Sequence, residues 1–356
     1  MGDAELVKNV NRFGSEVFKP LVSSNPGENV FFSPVSIAAA MSMVRMGATP
    51  SSSAEKELDR YLPCAGSLLR KLADELEMET DDVQTKFANS LWMSENLNPS
   101  YKEQIQQLNA FTEHLPETPE PINKWVEAQT NGLIKDLLDK IHPDTIAILV
   151  NAVYFRGLWA LQFSPEDTTD HPFDLANGKK ENCRMMSLVK NVMYRELPSG
   201  AKSVKLSYGK NREFYAVLTL PPKGKEPNPY EENSSTEFEM RKVSVKMPRF
   251  KVEFQSSVKE TLRTIGIDAV FTQLGMLKGI CTREDAFIGD VVHKAVVEVD
   301  EYGTKAAAAT AVLMMTTSFD PREPIEFLVD RPFAITIMHK SGMVLFSGAI
   351  NNPEFY

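Results

Sequence analysis

Histidine and cysteine are the side chains that most often serve in nucleophilic or metal chemistry, and in this chain they are few and scattered. The histidines are His114, His142, His171, His293 and His339, and the cysteines are Cys64, Cys183 and Cys281. No histidine lies close enough along the chain to another histidine or to a cysteine to give the spacing of a local metal site. The chain also lacks the G-x-G-x-x-G, P-loop, H-E-x-x-H and G-x-S-x-G motifs. The sequence therefore predicts no metal, no cofactor and no enzyme of these classes. A dispersed Ser-His-Asp triad, which leaves no local motif, stays as an alternative.

The segment 301–326 is unlike a core element. Its first ten residues are Glu301, Tyr302, Gly303, Thr304, Lys305, Ala306, Ala307, Ala308, Ala309 and Thr310. Propensity alone favours a short surface helix over the alanines. The physical alternative is a strand that is exposed in one state and buried in another, because small side chains fit either face of a sheet. Thr304, Thr310 and Val312 are an even number of positions apart and would share one face, with Gly303 as the pivot.

Hydrophobic periodicity indicates the elements that must hold this segment. Helical spacing runs from Leu6 to Phe18 and is expected to end at Pro20. The stretch 35–46 is apolar almost all round, which is typical of a helix buried in a large core. The stretch 122–140 has the pattern of an amphipathic helix, with a break at Asn131-Gly132 as an alternative. From Val204 onward the apolar runs are mostly strands, including 242–252. Without regular βαβ alternation, this order predicts an α+β fold in a single large domain over residues 1–356.

Composition narrows the class of protein further. The chain has 356 residues and a formal net charge of −9, which argues against broad nucleic-acid binding. It contains no apolar stretch long enough to span a membrane. Its odd number of widely spaced cysteines predicts free thiols. The first residues lack a basic region followed by an apolar core, so we expect a cytoplasmic or leaderless-secreted protein. An extracellular protein whose signal peptide has been removed would look the same, and glycosylation at Asn233 stays open.

Several motifs along nearly the whole chain resemble one family, the serpins. They are 29–37 (NVFFSPVSI), 122–126 (INKWV), 130–134 (TNGLI), 149–159 (LVNAVYFRGLW), 245–250 (VKMPRF), 292–295 (VHKA), 330–333 (DRPF) and 346–348 (FSG). Gly303 and Thr304 followed by four alanines resemble the hinge of the inhibitory members. Each motif alone is weak, but together they are specific. The start of the chain resembles the ovalbumin-like leaderless branch.

The resemblance implies a fold with three β-sheets, a large central sheet A, a helical N-terminal half and an exposed reactive-centre loop at about 301–326. It implies an inhibitor that is not an enzyme: a protease cleaves the loop, is trapped as an acyl-enzyme, and is carried along as the loop inserts into sheet A. A non-inhibitory serpin with a carrier, storage or chaperone role is the alternative. The absence of bulky or charged residues at 306–309 favours the inhibitor.

The resemblance also assigns residues to three regions. The hinge comprises Glu301, Gly303, Thr304, Ala306, Ala307, Ala308, Ala309 and Thr310. Trp159 and Arg249 belong to the breach, where the loop enters the sheet, and Arg249 is expected near Glu301. The polar cluster beneath the sheet, called the shutter, comprises Ser33, Ser36, Asn151 and His293. Two departures from the family are a short connection between Leu220 and Val243, which predicts lost helices, and an abbreviated stretch at 116–121.

The bait residue is less well determined. Counting forward from Glu301 gives Thr317, with Ser318 after the scissile bond, whereas counting backward from Phe327 gives Phe319. Thr317 would suit an elastase-like serine protease and Phe319 a chymotrypsin-like one, and a cysteine protease is a further expected target. The segment matching the family's helix D carries only Arg70 and Lys71 as bases, so no heparin activation through that site is expected. We also expect a monomer.

Overall fold

The computed structural model describes residues 2–230, 236–304 and 323–356. Within these ranges the helices are Asp3–Ser24 (α1), Pro34–Met46 (α2), Ser53–Asp59 (α3), Ala65–Lys71 (α4), Pro99–Gln106 (α5), Glu120–Gln129 (α6), Lys259–Thr264 (α7) and Ala269–Thr272 (α8). A π-helical turn, Leu72–Leu76, continues α4, and a 3-10 turn lies at Pro165–Asp167.

The strands within the same ranges are more numerous and mostly follow the helices along the chain. They are Val30–Phe32 (β1), Met78–Glu79 (β2), Val83–Met93 (β3), Phe111–His114 (β4), Ala147–Leu158 (β5), Thr169–Asp174 (β6), Lys180–Glu196 (β7), Lys202–Tyr208 (β8), Phe214–Leu220 (β9), Glu239–Pro248 (β10), Phe250–Ser257 (β11), Asp290–Val299 (β12), Gly303–Thr304 (β13), Ile325–Leu328 (β14), Phe333–His339 (β15) and Val344–Ile350 (β16). Helices and antiparallel strands are thus segregated along the chain, which makes the fold α+β.

The strands form a large central sheet and a second, two-lobed sheet. The central sheet has seven strands in the order β11-β12-β13-β5-β3-β2, with β4 beside β3. The second has nine in the order β1-β16-β15-β9-β8-β7-β10-β14, with β6 beside β7. One lobe consists of β1, β16, β15, β9 and β8, and the other of β10, β14 and β6. The 17-residue strand β7 joins them, because it pairs with β8 of the first and with β10 and β6 of the second. The three sheets expected from the sequence are therefore the central sheet and these two lobes.

One junction in the central sheet is divided between two kinds of pairing. Strands β5 and β12 run parallel, and their pairing extends from Ile148 and Asp290 to Val153 and Ala295. Beyond that point the short strand β13 lies between them, antiparallel to both. We call this β5–β12 junction the seam. Its upper part is thus already occupied by two residues of a third strand.

Helix α2 is the buried centre of the helical half. Ser33 caps it by accepting a hydrogen bond from the N–H of Ser36, and Pro34 occupies its first turn. Every residue from Pro34 to Val44 is buried. The predicted core helix is confirmed, and its first turn places Ser33 and Ser36 beneath the central sheet, as their hydrogen bonds to His293 and Asn151 show.

The boundaries expected at Pro20 and within 242–252 were wrong, whereas the alternative break at Asn131-Gly132 is present. Helix α1 continues through Pro20 to Ser24, because the buried Leu21 outweighs the hydrogen bond that proline cannot make. The amphipathic pattern at 122–140 gives a helix only to Gln129, after which Asn131 and Gly132 have positive φ. The single strand expected over 242–252 is two strands, because the chain leaves one sheet at Pro248 and enters the other at Phe250.

The short connection between β9 and β10 has no regular secondary structure in its described residues, 221–230 and 236–238. This agrees with the expected loss of helices there. Across the three described ranges, no helix combines the length and the apolar character needed to cross a bilayer.

Candidate functional site

The turn between β12 and β13 carries the start of the predicted hinge. Val299 pairs with Thr304, so β12, the turn 300–303 and β13 form a tight antiparallel hairpin. On its other side β13 pairs with β5, through Gly303 with Leu158 and Thr304 with Gly157. The first hinge residues are therefore part of the central sheet.

The polar groups of this turn are extensively bonded. Asp300 accepts hydrogen bonds at Oδ1 from the N–H groups of Tyr302 and Gly303. Its carbonyl accepts one from Nε1 of Trp159 at 3.0 Å. The carbonyls of Glu301 and Tyr302 accept from the backbone N–H of Phe163 and Trp159, at 3.0 and 2.8 Å. A turn bonded in this way holds the hinge in one conformation at the top of the seam.

Glu301 is a buried carboxylate bound to Arg249. Its side chain is 1% exposed, and Nε of Arg249 donates to both of its oxygens, at 2.8 and 2.7 Å. The hydroxyl of Thr168 donates to the same carboxylate at 2.6 Å. Burial acts to raise the pKa of Glu301, but the hydrogen bonds from Arg249 and Thr168 outweigh it and lower the pKa. The turn thus carries a charged group that is stable only while Arg249 stays in place.

Trp159 and Tyr208 form the apolar floor beneath the hinge. Their rings stack, with centroids 4.4 Å apart and planes 15° apart, and both side chains are buried. The hydroxyls of Tyr208 and Thr304 share a hydrogen bond of 2.7 Å. Burial raises the pKa of Tyr208 far above its usual range, so this phenol stays protonated. The hydroxyl of Thr304 therefore has a hydrogen-bond partner inside the sheet, which avoids the cost of burying an unpaired polar group.

Two glycines make room for close contacts here: Gly303 lets β13 approach β5, and Gly157 lets the Tyr208 ring pack against β5. A Cβ on Gly303 would lie 2.0 Å from the carbonyl oxygen of Gly157, and one on Gly157 would lie 2.8 Å from the ring of Tyr208. No other residue type fits at Gly303 without moving backbone. The close approach explains why the sequence has glycine at the pivot.

A buried polar network crosses the lower part of the seam. His293 of β12 and Asn151 of β5 are paired residues, and Nδ1 of His293 lies 2.7 Å from Oδ1 of Asn151. Nε2 of His293 accepts a hydrogen bond from the N–H of Ser33 at 3.1 Å, which leaves the proton on Nδ1 to donate to Asn151. The amide of Asn151 donates to the carbonyl of Ser36 at 2.7 Å and to Asn89.

This network is both buried and neutral. Ser33, Ser36, Asn151 and His293 are fully buried, and burial lowers the pKa of His293 to about 3. The imidazole is therefore uncharged at neutral pH. Since its hydrogen bond to Asn151 joins β12 to β5, any separation of these two strands must break it.

The structure brings together most of the predicted site residues that it describes. Glu301, Gly303 and Thr304 lie with Trp159 and Arg249 at the top of the seam, and Ser33, Ser36, Asn151 and His293 lie further down it. The hinge residues Ala306, Ala307, Ala308, Ala309 and Thr310 and the candidate bait residues Thr317, Ser318 and Phe319 lie outside the described residues.

Sequence reasoning missed several partners of these residues. Tyr208, Thr168 and Phe163 contact the hinge turn, and Asn89 joins the lower network, yet each comes from a distant part of the chain. No local motif marks them. The alternation of apolar Val204, Leu206 and Tyr208 with polar residues in β8 could have indicated an inward-facing Tyr208, but not its contact with Thr304.

Comparison with known proteins identifies the family to which this chain is similar. The family described as Serpin (serine protease inhibitor) matches residues 8–353. Serpin B10 of Sorex araneus is 30% identical over 399 residues, covering 98% of this chain and 99% of that protein. Leukocyte elastase inhibitor A of Mus musculus is 31% identical over 372 residues, covering 96% and 97%. The crystal structure of human thyroxine-binding globulin with its hormone superposes with a TM-score of 0.86 at 22% identity, over 99% of both chains.

The chain belongs to the serpin family. The family is described by the inhibition of serine proteases and not by a catalytic activity of its own. The central seven-stranded sheet is the family's sheet A. Within it, the residues predicted to start the hinge lie in the β12–β13 turn, those predicted for the breach lie beside that turn, and those predicted for the shutter lie lower on the seam.

Proposed function

We propose that this protein inhibits a serine protease as a suicide substrate, by inserting its cleaved loop into the seam of the central sheet. The observation that carries the proposal is the β12–β13 hairpin, in which Thr304 already pairs with both neighbours of the future strand. Insertion then needs no new nucleus. It extends a hairpin whose turn is already formed, as growth beyond a nucleus is easier than nucleation.

The register of this hairpin gives the inserted positions by arithmetic. Thr304 pairs with Val299 and with Gly157, and each later residue in an antiparallel strand meets an earlier one on each neighbour. Six positions on from Thr304, Thr310 would meet Asn151 (157 − 6) and His293 (299 − 6). The inserted threonine would therefore separate the two residues whose hydrogen bond now joins β5 to β12. Its hydroxyl could replace that bond.

Small side chains between these two threonines support the same proposal. In this register Ala306 and Ala308 share the face of Thr304 and Thr310, so no large group has to be desolvated on the way into the sheet. Each backbone hydrogen bond gained contributes about 1 kcal/mol net, so a strand of some 15 residues would gain on the order of 10 kcal/mol. That strand would extend roughly 50 Å. A protease bound to its end as an acyl-enzyme would be moved that far before it could deacylate.

The protease class is the finer part of the proposal. We infer an elastase-like target with Thr317 as the bait residue and cleavage before Ser318; Phe319 with a chymotrypsin-like target is the second candidate. A cysteine protease is a further candidate partner. The name of the mouse relative, leukocyte elastase inhibitor A, supports the first choice.

The experiment that tests this mixes the protein with elastase, chymotrypsin, trypsin and a cathepsin and analyses the products on denaturing gels. A band at the summed mass that survives boiling is the expected result with elastase, and mass spectrometry should find a released peptide beginning at Ser318. A matched variant, Thr304→Arg, places a charge in the buried hinge and should convert the inhibitor into a substrate. Clean cleavage of the unaltered protein by every protease, without the stable band, would refute the suicide mechanism.

A non-inhibitory role is the second candidate, and one comparison favours it. The fold also superposes on thyroxine-binding globulin crystallised with thyroxine, so the same architecture can carry a ligand. The same gel decides between the two functions. Cleavage without the stable band and without a gain in thermal stability would leave a carrier, storage or chaperone role.

We also propose a cytoplasmic or leaderless-secreted location, with an extracellular one as the alternative. Cys64, Cys183 and Cys281 are free thiols. Burial raises the pKa of Cys183 to about 11, so this thiol is unreactive. Free thiols fit a reducing compartment. Fractionation of expressing cells with an antibody to the protein would test the proposal, and recovery only from the medium in a glycosylated form would contradict it.

A further inference from the structure

Two arginines from distant parts of the chain lie against one tyrosine ring on the helical face. The guanidinium carbon of Arg12, on α1, is 5.7 Å from the centroid of the Tyr61 ring, and that of Arg60 is 5.4 Å from the same centroid. Arg12 also donates a hydrogen bond to the carbonyl of Arg60. The ring is fixed, since Tyr61 is 3% exposed and its hydroxyl donates to the carbonyl of Ile265 at 3.0 Å.

The two like charges are not neutralised by the protein. Within the described part of the chain, neither Arg12 nor Arg60 forms an ion pair, although both are exposed. The Tyr61 ring holds each guanidinium by a cation–π contact, and the carbonyl of Arg60 also binds Arg12. In a chain of net charge −9, this is a local excess of positive charge.

The neighbouring carboxylates do not pair directly with the two arginines, because each contacts another group. Asp59 binds Arg45 through Nε at 2.6 Å. Glu57 accepts the backbone N–H groups of Asp268 and Ala269, both at 2.8 Å. Asp268 in turn binds Arg263 at 2.6 Å. The acids nearest in sequence to Arg60, and one acid of the adjoining 264–268 loop, therefore already have partners.

The surroundings leave room for a ligand and add a third cation. Lys8 is one helical turn before Arg12, on the same face of α1, and is exposed. On the other side, a Cβ placed on Gly266 would be 3.7 Å from Nη1 of Arg60, and no other atom would lie within 4 Å of it. The exposed guanidinium of Arg60 thus lies beside Gly266, whose missing side chain leaves it uncovered on that side.

We propose that Arg12 and Arg60, with Lys8 at the edge, form a binding site for a phosphate or sulfate group. The planar guanidinium matches two oxygens of such a group, and a pair of them held by one ring is preorganised to bind it. Arginine side chains that are already ordered lose little entropy on binding. The site lies on the helical half of the molecule and is independent of the proposed inhibition of proteases.

The test is calorimetric titration of the full chain with inorganic pyrophosphate at low ionic strength, followed by the NMR signals of the arginine Nε–H groups. We expect saturable 1:1 binding with shifts confined to Arg12 and Arg60. Each of the variants Arg12→Gln and Arg60→Gln should weaken binding about tenfold or more, as loss of a charge-assisted hydrogen bond does. Arg70→Gln removes an equally exposed arginine that forms no ion pair among the described residues, and should change nothing.

Parallel titrations distinguish the sources of the oxyanion. Tighter binding of a sugar phosphate than of pyrophosphate would indicate a small phosphorylated ligand, and tighter binding of a sulfated hexasaccharide would indicate a polysaccharide. Either result supports the site if Arg12→Gln abolishes the preference. No saturable binding of any of the three, or equal weakening by Arg70→Gln, would overturn the proposal. Circular dichroism of each variant ensures that a loss of binding is not a loss of folding.

Discussion

Replacing Arg249 by methionine should destabilise the native state and accelerate insertion of the intact loop. Methionine keeps most of the apolar length of the side chain but removes both hydrogen bonds to Glu301. The carboxylate would stay 1% exposed with Thr168 as its remaining side-chain partner. Breaking a buried pair in this way costs about 3–5 kcal/mol. Because the Arg249 side chain is 28% exposed, the expected cost is smaller, about 2–3 kcal/mol.

The kinetic consequence depends on whether the pair is lost in the transition state for opening the seam. If it is, a loss of about 2 kcal/mol from the native state alone would speed conversion to the loop-inserted form roughly thirtyfold. Two measurements check this: the urea midpoint, and the rate of the conversion at about 45 °C on native gels, where unfolding steps of mesophile domains become fast enough to follow. The control is Arg263→Met, since Arg263 binds Asp268 at 2.6 Å and Glu260 at 2.9 Å, but on the surface. It should leave both measurements unchanged.

One result would refute the reasoning. If Arg249→Met lowers the urea midpoint but leaves the conversion rate as in the unaltered protein, the ion pair persists in the transition state. Arg249 would then stabilise the turn at 300–303 without restraining the seam. Its assignment to the breach would describe a location and not a role.

Three further predictions concern the hinge and the shutter. Because burial lowers the pKa of His293 to about 3, the unfolded state binds one proton more than the native state between that pH and the ordinary histidine value of 6.5. As the pH is lowered through this window, the free energy of unfolding should fall by about 1.4 kcal/mol per pH unit. His293→Gln should remove this slope in urea titrations. Thr304→Arg should raise the number of inhibitor molecules consumed per protease severalfold, since the hydroxyl it replaces is buried against Tyr208. An unchanged ratio would mean that a charge at this position of β13 does not impede growth of the inserted strand. Gly157→Ala should lower the thermal midpoint, because the added Cβ would lie 2.8 Å from the Tyr208 ring. The expected loss in the free energy of unfolding is about 1–3 kcal/mol, and scanning calorimetry would measure the change in the midpoint.

Local patterns of the sequence predict much of the fold. The all-round apolar stretch of α2 and its Ser-Pro start predicted a buried helix, and the structure has it at Pro34–Met46. Local patterns failed where distant packing decided the outcome. Ile134 and Leu137 continue the helical spacing of 122–140, but both are 1% exposed in a non-helical stretch that packs over the central sheet. Their burial explains the pattern equally well, so periodicity could not distinguish helix from loop.

Sequence reasoning likewise identified some residues of the candidate site and missed others. Resemblance to a family supplied Arg249, Trp159 and His293, because each lies in a recognisable motif. It could not supply Tyr208 or Thr168, which meet the hinge only because β8 and the 3-10 turn fold against it. Nor could any sequence argument tell how far the loop had entered the sheet, since that depends on the balance between the β5–β12 pairing and the strand that would replace it.

Different contacts hold the upper and the lower part of the seam. At its top, the hinge turn is fixed by Trp159, Arg249 and Phe163, and β13 already separates the two strands. Lower down, the strands are joined by their own pairing and by the bond between His293 and Asn151. In the proposed inserted register, Thr310 would meet that same bond, so a strand growing past the hinge alanines would meet a buried polar contact that spans the seam. A barrier located there would keep the uncleaved loop out while leaving the cleaved loop, which is free at one end, able to pass it. Asn151→Ala tests this, because it removes the oxygen that accepts the hydrogen bond from His293 across the seam and should lower the barrier; an unchanged or slower conversion on native gels would contradict it.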